Sequence, residues 1–92
     1  MRKINIYKRE LHNGEVIIYN RRDGRIFVLE ILDITEIPPK LHDVKYYNCK
    51  VLDCTDGNYI KKGEVVIFTP GEIRKSETVY LLDKYEAGLY KL

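Results

Sequence analysis

The chain has 92 residues, 45% of them hydrophobic and 33% charged, with a formal net charge of +2. That composition excludes intrinsic disorder, and the small net charge is too weak to argue for nucleic acid unaided. No apolar run nears the ~18 residues of a membrane span, and the basic Met1–Arg9 segment lacks the apolar core of a secretory signal, so no membrane partner is expected.

The length suits one domain, 1–92, of a kind that buries roughly 60–65% of its unfolded surface. The expected address is cytoplasmic, in the host cytoplasm if the chain is viral. Gln and Trp are absent, and Ser76 and Ala87 are the only residues of their types. Such a bias fits either a hyperthermophile or an AT-rich genome, viral or bacterial, and carries no functional information.

In chain order, Ile4-Asn5-Ile6-Tyr7 alternates as a first strand. Asn13-Gly14 is a turn pair, and Glu15–Tyr19 reads as the second strand. Arg21-Arg22-Asp23-Gly24-Arg25 places an Asp-Gly turn before Ile26–Ile34, which makes a hairpin. Ile26–Ile34 is apolar on both faces, as a central strand covered on two sides would be. Its β-branched content and the Pro38-Pro39 stop favour strand over helix. Ile37–Asp43, with two prolines, is a semi-rigid loop.

Val44–Leu52, Val65–Phe68 and Thr78–Leu82 complete the main strands. Asp56-Gly57-Asn58 and Pro70-Gly71 punctuate them. Tyr85–Gly88 reads as a turn or one helical turn, and Leu89–Leu92 as a short closing strand. Six or seven short strands with almost no helix define the expected fold class: an all-β, small single-domain barrel of SH3-like, OB-like or co-chaperonin-like type.

Few residues suggest chemistry. Cys49 and Cys54 are five apart, so on one regular strand they point to opposite faces about 16–17 Å apart. That separation forbids a disulfide, and small buried hydrophobes is the favoured reading. His12 and His42 could join them as zinc ligands, but the Cys-x4-Cys spacing is poor for it. Ser76 has no nearby histidine, and Asp53 and Asp56 flank a turn, where Asp serves the backbone. No catalytic residue, metal or cofactor is assigned, and the chain is read as a binding protein and not an enzyme.

Basic residues cluster at predicted turns and strand ends: Arg2-Lys3, Lys8-Arg9, Arg21-Arg22 with Arg25, Lys61-Lys62 and Arg74-Lys75. Tyr7, Tyr19, Tyr46, Tyr47 and Tyr59 lie among them. Small barrels bind single-stranded DNA or RNA by stacking bases on aromatics inside a positive groove. The nucleic-acid alternative therefore rests on Arg21, Arg22, Arg25, Lys61 and Lys62, with Tyr47 or Tyr59 stacking. The plainer reading sets tyrosines at strand borders while lysines keep edges from pairing.

Val51-Leu52-Asp53, Asp56-Gly57, Ile60–Phe68, Gly71-Glu72-Ile73 and Val79–Leu82 follow a recognisable order. Over Val51–Leu92 the chain resembles the barrel of GroES-type (chaperonin-10) co-chaperonins. Gly24-Arg25-Ile26-Phe27-Val28 is similar to that family's mobile loop, which implies that Ile26, Phe27 and Val28 contact a protein partner. The residue-level reading instead buries these three in a central strand. Both readings leave a protein partner or self-association as the first expectation, in a co-chaperonin-like or viral accessory subunit. Ile4–Tyr7 and Leu89–Leu92 are the terminal strands that could pair between copies.

Overall fold

Runs rich in β-branched and aromatic residues form the central strands of the protein. The computed structural model describes residues 1–6, 8–37, 44–55, 60–69 and 77–91. Its strands are β1 (Arg2–Ile4), β2 (Val16–Asn20), β3 (Ile26–Ile37), β4 (Val44–Cys54), β5 (Val65–Phe68) and β6 (Thr78–Leu81), followed by the helix α1 (Lys84–Gly88). All pair antiparallel in one sheet of order β1-β6-β2-β3-β4-β5.

The expected all-β class is therefore present, but the sheet is open. Among the described residues β1 and β5 each pair on one side only. It is nonetheless strongly curled. Tyr19 on β2 and Phe68 on β5 lie three strands apart, which is roughly 14 Å across a flat sheet. Their ring centroids are 5.1 Å apart, edge to face. Curling brings the two flanks of the sheet around a common interior.

That interior holds Leu11, Ile17, Phe27, Leu29, Ile31 and Tyr47, with Cys49, Val51, Phe68 and Val79. A second, smaller cluster lies on the opposite face, where Val16 and Val28 meet Leu82 and Ala87. β3 is central and covered on both faces, as its two-sided apolar pattern requires. It and β4 are not short, at 12 and 11 residues.

Two β-bulges bend this long pair. Leu52 is the extra residue on β4, because Val28 faces Asp53 while Leu29 faces Val51. Leu32 is the extra residue on β3, between the Ile31–Cys49 and Asp33–Asn48 pairs. Each insertion flips the side-chain parity beyond it. Cys54 thereby packs against the same core as Cys49 and Val51, not on the opposite face as simple alternation implies. Ile34 returns to the core for the same reason.

Glycine shapes the turns. Gly63 has φ +87. Its N–H donates to Val51 O (2.7 Å), and Val51 N–H donates to Glu64 O (2.8 Å), so two residues oppose one in a Gly-type bulge. Gly24 (φ 88) shapes the loop between β2 and β3, where Arg21 N–H donates to Arg25 O (2.8 Å) and Gly24 N–H donates to Arg21 O (3.1 Å).

The chain ends differ from expectation. β1 stops at Ile4, because Lys8 and Arg9 N–H groups both donate to Asn5 O in a turn. Tyr7 lies outside the described residues. No strand forms at 89–91. Asp83 caps α1, accepting from Glu86 N–H at 2.8 Å, while the Glu86 carboxylate accepts from Asp83 N–H at 3.2 Å. This capping box commits the segment to helix, and Leu89 and Tyr90 follow in a turn. The Met1 ammonium pairs with the same Glu86 carboxylate, joining the first strand to α1.

Candidate functional site

The antiparallel order β2-β3-β4-β5 sets the end of β2, the start of β3, the end of β4 and the start of β5 at one end of the sheet. Arg21, Arg22 and Arg25 sit on the β2–β3 turn, and Lys61 and Lys62 on the turn entering β5. Both basic turns therefore share that end. Their charge is largely answered locally. Asp23 lies 3.0 Å from Arg25 and 3.6 Å from Arg21, and Asp53 lies 3.6 Å from Lys62. Glu77 accepts from the Tyr19 hydroxyl (2.6 Å) and from Arg22 N–H (2.9 Å). Arg22 and Lys61 side chains have no ion pair among the described residues.

The expected stacking aromatic is not available there. Tyr47 is 2% exposed, with its ring tilted against Phe68 and its hydroxyl accepting from Leu11 N–H (3.3 Å). Its place on the inner face of β4 buries it. Tyr59 lies outside the described residues, as do His42, Arg74, Lys75 and Ser76.

Ile26, Phe27 and Val28 open β3 and pair with Asn20, Tyr19 and Ile18 of β2. Phe27 faces the main core and Val28 the smaller one, at 4% and 5% exposure. They do not form the exposed docking loop that the co-chaperonin resemblance implies. Only Ile26 reaches solvent. Strand pairing on both sides holds the tripeptide in the sheet.

What sequence reading missed is the open flank. β5 follows an out-in alternation: Val66 and Phe68 face the core, while Val65 and Ile67 are 61% and 66% exposed. The Val51–Glu64 hydrogen bond fixes which peptide groups face β4. By antiparallel alternation Val66 and Phe68 direct their N–H and C=O towards β4, and Val65 and Ile67 direct theirs away from it. The sequence signal was present in Val65-Val66-Ile67-Phe68. That β5 ends the sheet was not legible, because strand order is set by long-range pairing.

Beside this edge the curl leaves a cleft of about 90 Å³, walled by Tyr19, Phe27, Leu29, Val66 and Phe68, with Arg21 the one charged residue among its described lining. Tyr19 stacks on Phe27 at 6.3 Å. Burial and the hydrogen bond to Glu77 push its hydroxyl pKa up, so it stays a neutral donor.

The cysteines are both free thiols. Burial, with a smaller contribution from Asp33, pushes the Cys49 thiol up to about 12. Cys54 donates its S–H to Ile60 O at 2.8 Å. Among the described residues no three His, Cys, Asp or Glu side chains are grouped to hold a metal ion. His12 is exposed and lies 3.5 Å from Glu15.

Comparison with protein-family models, with curated proteins and with solved structures found no match to the chain.

Proposed function

We propose that the protein is a non-catalytic binding module that acts through protein–protein contacts, with β5 as its docking edge. The observation that carries this reading is the coincidence, on one strand, of a backbone edge unpaired among the described residues with the exposed Val65 and Ile67 side chains. Natural edge strands are usually blunted by charge, proline or cover. Among the described residues β5 presents Val-Val-Ile-Phe with its outer edge unpaired, the chemistry of a surface to which an extended segment adds as a further strand. The curled sheet is read as a small-barrel type, SH3-like, OB-like or co-chaperonin-like, completed along this flank by the partner. An accessory subunit, viral or prokaryotic, is the role such a module fits.

The second reading, single-stranded nucleic acid at Arg21, Arg22, Arg25, Lys61 and Lys62, is favoured by one observation: both basic turns lie at one end of the sheet. The burial of Tyr47 and the local pairing of the arginines weigh against it.

A random dodecapeptide display selection on the immobilised protein separates these readings. The variant Ile67→Pro loses the outward N–H but keeps the β4 ladder, because proline is tolerated on the open side of an edge strand. Peptides that bind the wild type and lose at least tenfold affinity for a folded Ile67→Pro variant are expected. No enrichment, or enrichment indifferent to Ile67→Pro, would overturn the assignment. Salt-dependent binding of a mixed single-stranded oligonucleotide at ~50 mM salt would put the second reading in its place, with a log–log slope near −0.7 per phosphate neutralised.

A further inference from the structure

We infer that the occupant of the β5 edge is an extended peptide whose apolar segment ends in acidic residues, the apolar part entering the Tyr19–Phe68 cleft and the acidic end lying against Arg22 and Lys61. This rests on the reading of β5 as the docking edge and adds the chemistry of the partner.

Three observations narrow the occupant. The cleft is apolar and lies along β5, with Val66, Ile67 and Phe68 in its lining. At about 90 Å³ it is smaller than the ~150 Å³ cavity that accepts benzene, so it suits an aliphatic side chain and not a nucleobase. A strand added to β5 alternates its side chains, one towards this cleft and the next beside Val65 and Ile67 on the outer face. An aliphatic residue at the inward position is therefore required.

Charge sets the direction. The end of the sheet where β5 begins carries Arg21 and Arg22 on one turn and Lys61 and Lys62 on another. Asp23 and Asp53 answer Arg21, Arg25 and Lys62, and Glu77 is taken up by Tyr19 and the Arg22 backbone. Arg22 and Lys61 remain without an ion pair among the described residues. Asp23, the acid next to Arg22, is engaged by Arg25 and Arg21, and Glu64, three residues after Lys61, lies on the β5 side of the turn. An antiparallel peptide thus meets the two cations with its C-terminal end.

The length of the edge argues against a second copy. β5 spans four residues. A β5-to-β5 contact would fall far short of the roughly 800 Å² per partner of a stable dimer, whereas weak peptide addition is served by short edges and one pocket.

The test uses a fluorescein-labelled peptide, Thr-Val-Thr-Leu-Thr-Glu-Glu, and its counterpart ending in Lys-Lys, titrated with the full chain at ~50 mM salt. The Glu-ended peptide is expected to bind at least tenfold more tightly, and the gap to close near ~0.5 M salt as exposed charges are screened. The double variant Arg22→Glu/Lys61→Glu, at exposed positions and shown to be folded by its far-UV circular dichroism, should reverse the preference. Ile67→Pro should weaken both peptides. Equal binding of the two peptides, or no reversal, would overturn the acidic-end assignment. Peptides from the display selection that still bind through Ile67 would then leave the docking edge itself standing. Displacement of the Glu-ended peptide by oligo-dT, or a dimer in sedimentation equilibrium that Ile67→Pro dissolves, would each assign a different occupant and overturn the inference.

Discussion

Cys49 shows how burial governs a single residue's chemistry. The side chain is fully enclosed between Tyr47 and Val51 on the inner face of β4, and loss of hydration disfavours its thiolate. Cys54 is half-buried and engaged with Ile60 O. Thiol titration of the native protein should therefore find Cys54 reacting first and Cys49 silent until unfolding, with two thiols in denaturant. A native Cys49 reacting as fast as an unfolded thiol would refute the packing of β4. Glu15 is the other residue with a clear consequence. Burial alone would raise its pKa. Hydrogen bonds from Arg9 (2.7 Å) and His12 N–H (2.6 Å), with the Arg9 charge, outweigh burial and hold it below the usual value. A depressed folded-state pKa contributes stability that is present above the ordinary Glu range near ~4.3 and is lost as pH falls through the folded value. Glu15→Gln should cost about 1–2 kcal/mol at neutral pH. The wild-type and variant stabilities should converge as pH drops below ~4, and a constant difference across that range would contradict the assignment.

The elements show which features a sequence can and cannot disclose. Val65–Phe68 was legible to the residue, since Gly63 precedes it and Pro70 follows. The β2–β3 hairpin was equally plain from Asp23-Gly24, because a positive φ at that point admits little but glycine. The faces of Cys54 and Ile34 were not legible. Leu52 and Leu32, the bulge residues that flip them, look like ordinary strand residues until β3 and β4 are paired. The helical turn expected at Tyr85–Gly88 is present as α1, capped by Asp83 and Glu86, whereas the apolar Leu89 suggested a closing strand that 89–91 do not form. The open edge that carries the proposed function depends on which strand neighbours which, and local pattern holds no record of that. Gly63 tests the element level. A Cβ added there meets nothing within 4 Å, so Gly63→Ala carries only the left-handed backbone penalty, about 1–2 kcal/mol. Chemical denaturation should register that loss with an unchanged m-value. A neutral Gly63→Ala would mean that the turn into β5 is not the Gly-type bulge described.

At the scale of the whole molecule, curl and openness are two sides of one property. The Tyr19–Phe68 contact draws β5 towards β2 and encloses the core, yet the seam beside β5 is not zipped by backbone pairing among the described residues. Under the proposed function that seam is where one further strand adds. The amide exchange rates along β5 report on it most directly. In the free protein Val66 and Phe68, bonded to β4, should exchange slowly, while Val65 and Ile67 should exchange at least tenfold faster, and saturation with the Glu-ended peptide should slow the fast pair. Slow exchange at all four positions in the free protein would show that the edge is already covered, and would contradict its role as a docking strand.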